Sequence, residues 1–252
     1  MPDDFVLKAS GLTKDFKGFR AVDNVNLNIR RHSIHALIGP NGAGKSTCFN
    51  LLTKFLTPTA GTITFEGRDI TRMSPGNIAR AGLVRSFQIS AVFGSMTALE
   101  NVRIALQRRR HGDSWDFWRS EKVLARLEAE AMELLEAVGM SAFARHRASD
   151  LSYGRKRALE IATTLALDPK VLLLDEPMAG MTQEDVTRIT ALIAKVAEGR
   201  TVVMVEHNLS VVSTLCDQIT VLARGAILAE GKYEDVSRDP RVINAYIGVP
   251  NG

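Results

Sequence analysis

The 252-residue chain has the length of one large or two small domains, and it can bury a full core without disulfide or metal staples. Hydrophobic residues make up 45% and charged residues 24%, which excludes a disordered chain, and no apolar run approaches the roughly 20 residues of a membrane span. The net charge of +4 selects no class of partner. The acidic start lacks a signal peptide's apolar stretch, and Cys48 and Cys216 are too few for a disulfide framework or a zinc site. We therefore expect a cytosolic protein.

The first third of the chain is predicted to consist of strands around a glycine-rich loop. Residues 6–29 have the pattern of two strands joined by a turn at Lys17 and Gly18. Residues 33–38 form a short apolar strand that leads into the loop, and apolar positions over 49–56 then follow a helical stripe. Residues 62–65 are predicted to be the next strand.

The middle third is predicted to be helical. Thr97 and Glu100 have the spacing of a capping box, so a helix should begin directly after Thr97. Residues 112–118 should break that helix. A second helix should end at Gly139, and a third should span about 153–166.

The last third alternates between strands and helices. The predicted elements are, in order, residues 171–174, 185–197, 201–205, 209–215 and 219–222. Because strands that alternate with helices form parallel sheets, we expect an α/β core that carries a helical insertion from about 89 to 160.

The glycine-rich loop matches the phosphate-binding pattern G-x-x-x-x-G-K-[ST], and it lies between an apolar strand and a helix, as the mechanism requires. Its glycines let backbone N–H groups surround phosphate oxygens, and the helix N-terminus favours negative charge. Lys45 should reach the β- and γ-phosphates, and the Ser46 hydroxyl should bind Mg²⁺. The predicted nucleotide-binding residues are Gly39, Pro40, Asn41, Gly42, Ala43, Gly44, Lys45, Ser46 and Thr47.

Two acids follow the apolar run 171–174. They should lie at the carboxyl edge of the sheet, where open α/β sheets bind ligands. Asp175 suits the shell of a Mg²⁺ ion, and Glu176 is positioned to act as general base for the attacking water. An acid pair at a strand end is also common on ordinary surfaces, and the upstream phosphate loop favours the catalytic interpretation.

Three further residues are ambiguous when each is taken alone. His207 follows an apolar strand that ends in an acid, and it could equally be a surface histidine. Gln88 follows a short predicted strand over 83–87. Phe16 could stack on an adenine ring, although a lone aromatic residue in a strand usually serves packing.

Together with the segment Leu-Ser-Tyr-Gly-Arg at 151–155, this set of motifs resembles the ATP-binding cassette (ABC) ATPase family over essentially the whole chain. The order agrees with that family: phosphate loop, Gln88, the signature segment 151–155, the acid pair and His207. The resemblance implies a single ABC ATPase domain that combines a P-loop core with a parallel sheet, an antiparallel β subdomain and an inserted helical subdomain. The core would comprise residues 1–88 and 161–252, and the helical signature subdomain residues 89–160.

The resemblance also implies that two cassettes close head to tail around two ATP molecules. Ser152 and Gly154 of one cassette would contact the γ-phosphate held by the other. By the same resemblance Phe16 would stack on adenine, Gln88 would contact Mg²⁺ and the water, and His207 would contact the γ-phosphate. The implied cofactors are ATP and Mg²⁺.

Within the family the chain looks most like the larger ATPase subunit of branched-chain amino-acid type importers. Tyr153 in the signature, the segment 178–182 after the acid pair, the long segment 107–139 and the C-terminal segment 239–248 carry this resemblance. It implies a second, paralogous cassette and transmembrane permease subunits, and indirectly a periplasmic or extracellular solute-binding protein. It places the chain at the cytoplasmic face of the membrane and implies no nucleic-acid partner.

Two residues depart from the family pattern: Arg155 replaces the signature glutamine, and Thr182 stands where many cassettes carry an aspartate. Thr182 and Asp185 have the spacing of a helix cap. The alternative function is a soluble ABC ATPase of repair, translation or chromosome structure, which the single phosphate loop and the lack of sustained heptads disfavour. A scaffold that does not hydrolyse ATP is disfavoured because the full catalytic set is present: Lys45, Ser46, Asp175, Glu176 and His207.

Overall fold

The computed structural model describes residues 4–86, 92–110 and 121–247, with side chains over 4–86, 92–108 and 127–246. The strands are β1 (Phe5–Phe16), β2 (Phe19–Arg30), β3 (Ile34–Ile38), β4 (Ala60–Phe65), β5 (Arg68–Asp69), β6 (Leu83–Arg85), β7 (Val171–Asp175), β8 (Thr201–Val205), β9 (Gln218–Ala223) and β10 (Ala226–Gly231). The helices are α1 (Lys45–Leu52), α2 (Pro75–Arg80), α3 (Ala98–Arg110), α4 (Glu121–Ala137), α5 (Tyr153–Leu165), α6 (Gln183–Ala197), α7 (Leu209–Leu215), α8 (Tyr233–Val236) and α9 (Pro240–Ile247). None of the helices in these ranges is long and apolar enough to span a bilayer.

A six-stranded sheet in the order β10-β9-β3-β8-β7-β6 forms the centre of the molecule. Its pairs are parallel except for β10, which lies antiparallel at one edge. The mainly apolar strands β3 and β8 are buried at every position, His35 included, as strands covered on both faces require. The carboxyl ends of β3, β8, β7 and β6 therefore meet at one edge, which confirms the predicted α/β core.

A second, antiparallel sheet in the order β2-β1-β4-β5 packs beside the first. The predicted turn joins β1 to β2, with positive φ at Lys17 (43°) and Gly18 (93°), which suits a two-residue hairpin. Phe49 and Leu52 of α1 lie in one buried cluster with Leu7 of β1 and Leu37 of β3. Helix α1 is thus held between the two sheets, and this fixes its first turn at the edge of the parallel sheet.

Helices α3, α4 and α5 pack together and join the core on the other face of the parallel sheet. The predicted capping box begins α3: the Thr97 N–H donates to Glu100 Oε2 at 2.7 Å, and Thr97 Oγ1 accepts from the Glu100 N–H at 3.2 Å. The predicted helix break at 112–118 lies outside the described residues. The domain division at 88/89 and 160/161 stays a prediction, and its second boundary falls inside the continuous helix α5.

Several predicted bounds were wrong by a few residues. The helical stripe predicted over 49–56 is helical only to Leu52, because the Thr53 hydroxyl donates to the Phe49 carbonyl and Lys54 has φ 61°. Phe55 is consequently half-exposed instead of lying on the buried face. The strand predicted over 83–87 ends at Arg85. No sequence pattern predicted α2, β5 or β10, which are short and carry little apolar periodicity.

Candidate nucleotide-binding and catalytic site

The predicted phosphate loop connects β3 to α1 at the carboxyl edge of the parallel sheet. Gly39 and Gly44 have φ of 148° and 98°, a region that L side chains rarely adopt. A side chain on Gly39 would collide with the carbonyl oxygen of Leu222, and one on Gly44 would lie 2.5 Å from the carbonyl oxygen of Ala21. Gly44 caps α1 without a side-chain bond. The first N–H groups of α1 therefore face the loop, as anion binding requires.

Lys45 is folded into this loop. It is buried, and its Nζ donates hydrogen bonds to the carbonyl oxygens of Gly39 at 2.7 Å and Pro40 at 3.0 Å. Burial lowers the pKa of the Lys45 amine, and the nearby Glu176 carboxylate acts in the opposite direction. A cation is thereby held at the mouth of the loop, while Ser46 in the first turn of α1 stays exposed.

The predicted acids lie at the end of β7, two strands from the loop. The Arg85 guanidinium donates a hydrogen bond to Asp175 Oδ2, and both side chains are largely buried. Glu176 has φ 44°, a conformation unusual for a residue other than glycine, and its N–H donates to the Val205 carbonyl at 2.9 Å. This bond attaches the residue to the neighbouring strand β8 and orients its side chain.

The structure brings His207 onto Glu176. The distance between His207 Nε2 and Glu176 Oε1 is 2.9 Å, and the two side chains are 44% and 41% exposed. The pair therefore combines a carboxylate, an imidazole and access to water, which is the chemistry that hydrolysis needs. Gln88, the third predicted catalytic residue, lies outside the described residues.

Glu206 directly follows the apolar strand β8, and its position in the sequence indicated no role for it. The residue is buried, and its Oε1 accepts a hydrogen bond from the Met178 N–H at 3.0 Å. Its Oε2 accepts from the N–H groups of His207 at 3.0 Å and Asn208 at 3.3 Å. Glu206 therefore holds the segment after Glu176 against the turn that carries His207.

Two more side chains reach this edge from distant parts of the chain. Arg157 of α5 is buried, donates to the Asp175 carbonyl at 3.0 Å and pairs with Glu160 at 2.5 Å. Tyr246 of α9 accepts a hydrogen bond from the Gly39 backbone. Burial raises the pKa of Tyr246, and this hydrogen bond partly offsets the rise. No local sequence pattern indicates either contact.

The signature segment, residues 151–155, includes the start of α5. Within the described residues no hydrogen bond joins Ser152 or Gly154 to the phosphate loop, and the exposed Ser152 hydroxyl makes no capping bond to α5. A side chain on Gly154 would collide with the Asp185 carboxylate of α6. The Arg155 guanidinium lies 3.8 Å from the centre of the Phe143 ring, so packing accounts for this departure from the family pattern.

Two predicted contacts outside the edge also have defined positions. Phe16 ends β1 with its ring 41% exposed and the Lys14 amine 5.1 Å from its centre, so one ring face remains accessible to solvent. Thr182 caps α6, as predicted, because its Oγ1 accepts from the Asp185 N–H at 3.3 Å.

The chemistry of the oxygen donors at this edge fits Mg²⁺. Ser46 supplies a hydroxyl and Asp175 a carboxylate, which are the hard oxygen ligands that this ion prefers. Over the described ranges no group of three His, Cys, Asp or Glu side chains could hold a metal alone. A Mg²⁺ ion bound here would therefore complete its shell with phosphate oxygens and water.

Residues 22–179 match the ABC transporter family, and residues 226–250 match the branched-chain amino acid ATP-binding cassette transporter family. The chain belongs to the ABC transporter family. The high-affinity branched-chain amino acid transport ATP-binding protein BraF of Pseudomonas aeruginosa is 41% identical over 96% of this chain and 98% of its own. The LivG protein of Escherichia coli K12, which carries the same description, is 37% identical over the same shares.

Solved cassettes have the same architecture. A nucleotide-free cassette of an ABC transporter superposes with a TM-score of 0.84 at 30% identity, covering 97% of this chain and 100% of its own. A cassette in its ADP conformation gives 0.85 at 31% identity, covering 97% and 99%. A dimeric post-hydrolysis cassette bound to ADP and phosphate gives 0.75 at 27% identity, covering 90% and 98%. The predicted fold and family are confirmed, and the chain is an ATP-binding subunit that hydrolyses ATP to power transport.

Proposed function

We propose that this cassette energises an importer for branched-chain amino acids. The observation that carries this proposal is the match of residues 226–250 to the branched-chain amino acid ATP-binding cassette transporter family. Relatives described as branched-chain amino acid transport ATP-binding proteins also align over 96% of the chain. The transported solutes, branched-chain amino acids or closely related compounds, bind to other subunits, because the site of the cassette itself is built for phosphates. Nothing in the comparisons favours the alternative of a soluble repair, translation or chromosome ATPase.

In this function the loop Gly39–Thr47 cradles the phosphates of ATP, with the Lys45 ammonium at the β- and γ-phosphates and Phe16 against the adenine ring. The buried position of Lys45 and its carbonyl partners support this role, because the amine is already held where phosphate oxygens would replace those carbonyls. Ser46, Asp175 and Gln88 would hold Mg²⁺, and a bound ion would neutralise charge on the phosphates.

Glu176 acts as the general base in this proposal. Its carboxylate accepts a proton from water as the water oxygen bonds to the γ-phosphorus, and the bond from that phosphorus to the bridging oxygen breaks. The contact with His207 supports the role, since it holds Oε1 at 2.9 Å and leaves Oε2 for the water. His207 itself contacts the γ-phosphate.

The site of one cassette is incomplete in this proposal. The exposed Ser152 hydroxyl makes no capping bond to α5, and in this proposal that hydroxyl and the N-terminus of α5 serve the γ-phosphate of a second, paralogous cassette. Residues 89–160, as the helical signature subdomain, would carry them, with residues 1–88 and 161–252 as the core. The dimeric form of a similar cassette supports head-to-tail pairing.

Permease subunits dock near residues 88–94 in this proposal, and they keep the chain peripheral at the cytoplasmic face of the membrane. Within the described part of that segment the Phe93 ring is 54% exposed, which supports a contact surface. A solute-binding protein outside the membrane acts through the permease, and nucleic acid has no part.

Copurification from native membranes tests the proposal. Tagged Glu176→Gln protein, held in the ATP state with Mg²⁺, should retain hydrophobic permease subunits and a second cassette, whereas Lys45→Ala should not retain the second cassette. Purified transporter should then show ATPase activity stimulated by a binding protein loaded with leucine, isoleucine or valine. Recovery of ribosomes or DNA-associated factors, or stimulation by an unrelated solute alone, would contradict it.

A further inference from the structure

Arg85 is a largely buried arginine at the carboxyl edge, and the proposed chemistry gives it no role. It ends β6, the strand paired with β7, and its side chain is 17% exposed. One arm of the guanidinium donates to Asp175 Oδ2, and the other donates to Asn50 Oδ1 at 2.5 Å. A single planar group therefore joins the end of β7 to helix α1 across sequence separations of 90 and 35 residues.

The plane of the guanidinium is held by aromatic packing. Its central carbon lies 5.3 Å from the centre of the Phe49 ring and 5.6 Å from the centre of the Phe55 ring. Phe49 is fully buried and Phe55 is half-exposed. Because arginine stacks on ring faces while its fork makes directed hydrogen bonds, Arg85 has little freedom to leave this position.

Asn50 connects this fork to the proposed metal site. It follows Ser46 by four residues on α1, so the two side chains lie on the same face of the helix, one turn apart. The oxygen donors proposed for Mg²⁺, Ser46 and Asp175, thus lie on two elements that Arg85 ties together. The fork uses Oδ2 of Asp175 and leaves Oδ1 for a metal ion or a water bound to it.

We propose that Arg85 is a positioning residue that holds the Asp175 carboxylate at a fixed place relative to Ser46, so that Mg²⁺ meets a preformed pair of oxygen donors. The inference rests on the proposed role of Asp175 as a metal ligand. Outer groups that hydrogen-bond a ligating carboxylate commonly change metal affinity by about 10- to 100-fold when they are removed.

Magnesium titration of the full-length chain tests this role. The affinity for a fluorescent, non-hydrolysable ATP analogue is measured in EDTA and then over a range of Mg²⁺ concentrations. Arg85→Met should raise the half-saturating Mg²⁺ concentration by about 10- to 100-fold and leave the affinity in EDTA unchanged. Asn50→Leu, which removes the other end of the fork, should raise it in the same direction but less. Arg85→Lys should also raise it, because an ammonium keeps the charge without the planar fork.

Arg31→Met is the matched control. It removes an arginine from a partly buried pair with Glu66, where the distance is 2.5 Å. Arg31 precedes the amino end of β3, whereas the site lies at the carboxyl ends of the strands. It should leave both the EDTA affinity and the Mg²⁺ dependence as in the wild type.

Three outcomes would overturn the inference. An unchanged or lower half-saturating Mg²⁺ concentration in Arg85→Met would show that Arg85 does not position the ligand. A loss of nucleotide affinity in Arg85→Met that is as large in EDTA as in Mg²⁺ would show a merely structural role. If Arg85→Met does not fold, a wild-type dependence on Mg²⁺ in both Asn50→Leu and Arg85→Lys would also overturn the inference. A wild-type affinity that gains nothing from Mg²⁺ would instead reject the proposed metal site itself.

Discussion

The carboxyl edge of the parallel sheet and the signature segment, residues 151–155, differ in where their polar groups find partners. At the edge, Lys45 bonds to loop carbonyls and Glu176 lies against His207. In the signature segment Ser152 is exposed, and within the described residues its hydroxyl caps no backbone group of α5. The polar groups of the first region find partners within the chain, whereas those of the second are the donors that we propose for a partner cassette's nucleotide.

The largest effect is expected from a change to Glu176, the proposed general base at the carboxyl edge. Glu176→Gln should lower the ATPase rate of the assembled transporter by about 10²- to 10⁴-fold, because the amide cannot accept the proton of water. ATP binding should persist, in contrast to Lys45→Ala, which removes the buried cation from the phosphate loop. Phosphate release and equilibrium nucleotide binding measure the two properties separately.

Glu184→Gln is the control for this change, since it makes the same substitution at an exposed acid in the first turn of α6. It should leave the rate unchanged. If the Glu176→Gln transporter hydrolysed ATP at the normal rate, Glu176 would not be the general base. The contrast between the two regions would then fail as well.

A methyl group at Gly154 tests how closely the signature segment is packed on its inner side. Gly154→Ala would bring its Cβ too close to the Asp185 carboxylate, so this side chain must move. Because alanine also favours the helix, we expect the free energy of unfolding to fall by at most about 1 kcal/mol. Nucleotide binding to the single chain should persist, because the phosphate loop is elsewhere, while the ATPase rate of the assembled transporter should fall. Urea unfolding, nucleotide titration and phosphate release measure the three effects.

Gly76→Ala is the matched control, because a Cβ at this helical position meets nothing within 4 Å. It should leave the ATPase rate unchanged and raise stability slightly, since alanine favours the helix. Equal losses of stability in both variants would show that the contact between Gly154 and Asp185 has no special weight.

The buried His35 should make the stability of the protein depend on pH. It is fully buried in β3, with Nε2 2.8 Å from Thr220 Oγ1, and burial lowers its pKa to about 4. The unfolded chain, with a histidine pKa of about 6.5, then binds more protons between pH 6.5 and 4, so stability falls as the pH falls through this range. In the wild type this histidine should cost about 2 kcal/mol of the free energy of unfolding as the pH falls from 7 to 5. His35→Gln should lack this loss, and urea unfolding at the two pH values measures it.

His32→Asn removes a histidine that is exposed three residues earlier, where φ is 55° and asparagine is tolerated. It should retain the pH dependence of the wild type. The same loss of stability in His35→Gln and wild type between pH 7 and pH 5 would contradict the buried, neutral state of His35.

The smallest expected effect concerns the cap of α6. Thr182→Ala removes the acceptor at 3.3 Å from the Asp185 N–H and should lower the free energy of unfolding by about 0.5–1 kcal/mol. Thr97→Ala at the start of α3 breaks a reciprocal capping box and should lower it by about 1–2 kcal/mol. A larger loss for Thr182→Ala, by urea unfolding, would mean that this residue does more than cap its helix.

Local patterns predicted the phosphate loop, the hairpin turn at Lys17 and Gly18 and the cap at Thr97, because each depends on residues at most a few positions apart. Periodicity located the buried strands, since continuous apolar runs suit only covered positions. It failed at the end of α1, where the Thr53 hydroxyl competes with the backbone and an apolar Phe55 is left half-exposed.

The sequence by itself therefore determined the fold class and the family, and it predicted which residues form the nucleotide site. Only the tertiary structure decided which groups hold them: Arg85 on Asp175, Glu206 on Met178, and Thr220 on His35, pairs separated by 90, 28 and 185 residues. The physical reason is that a buried polar group must find a hydrogen-bond partner wherever the packed strands bring one within reach, whatever its distance along the chain. Such partners leave no period or spacing in the sequence, although they set the geometry on which the chemistry depends.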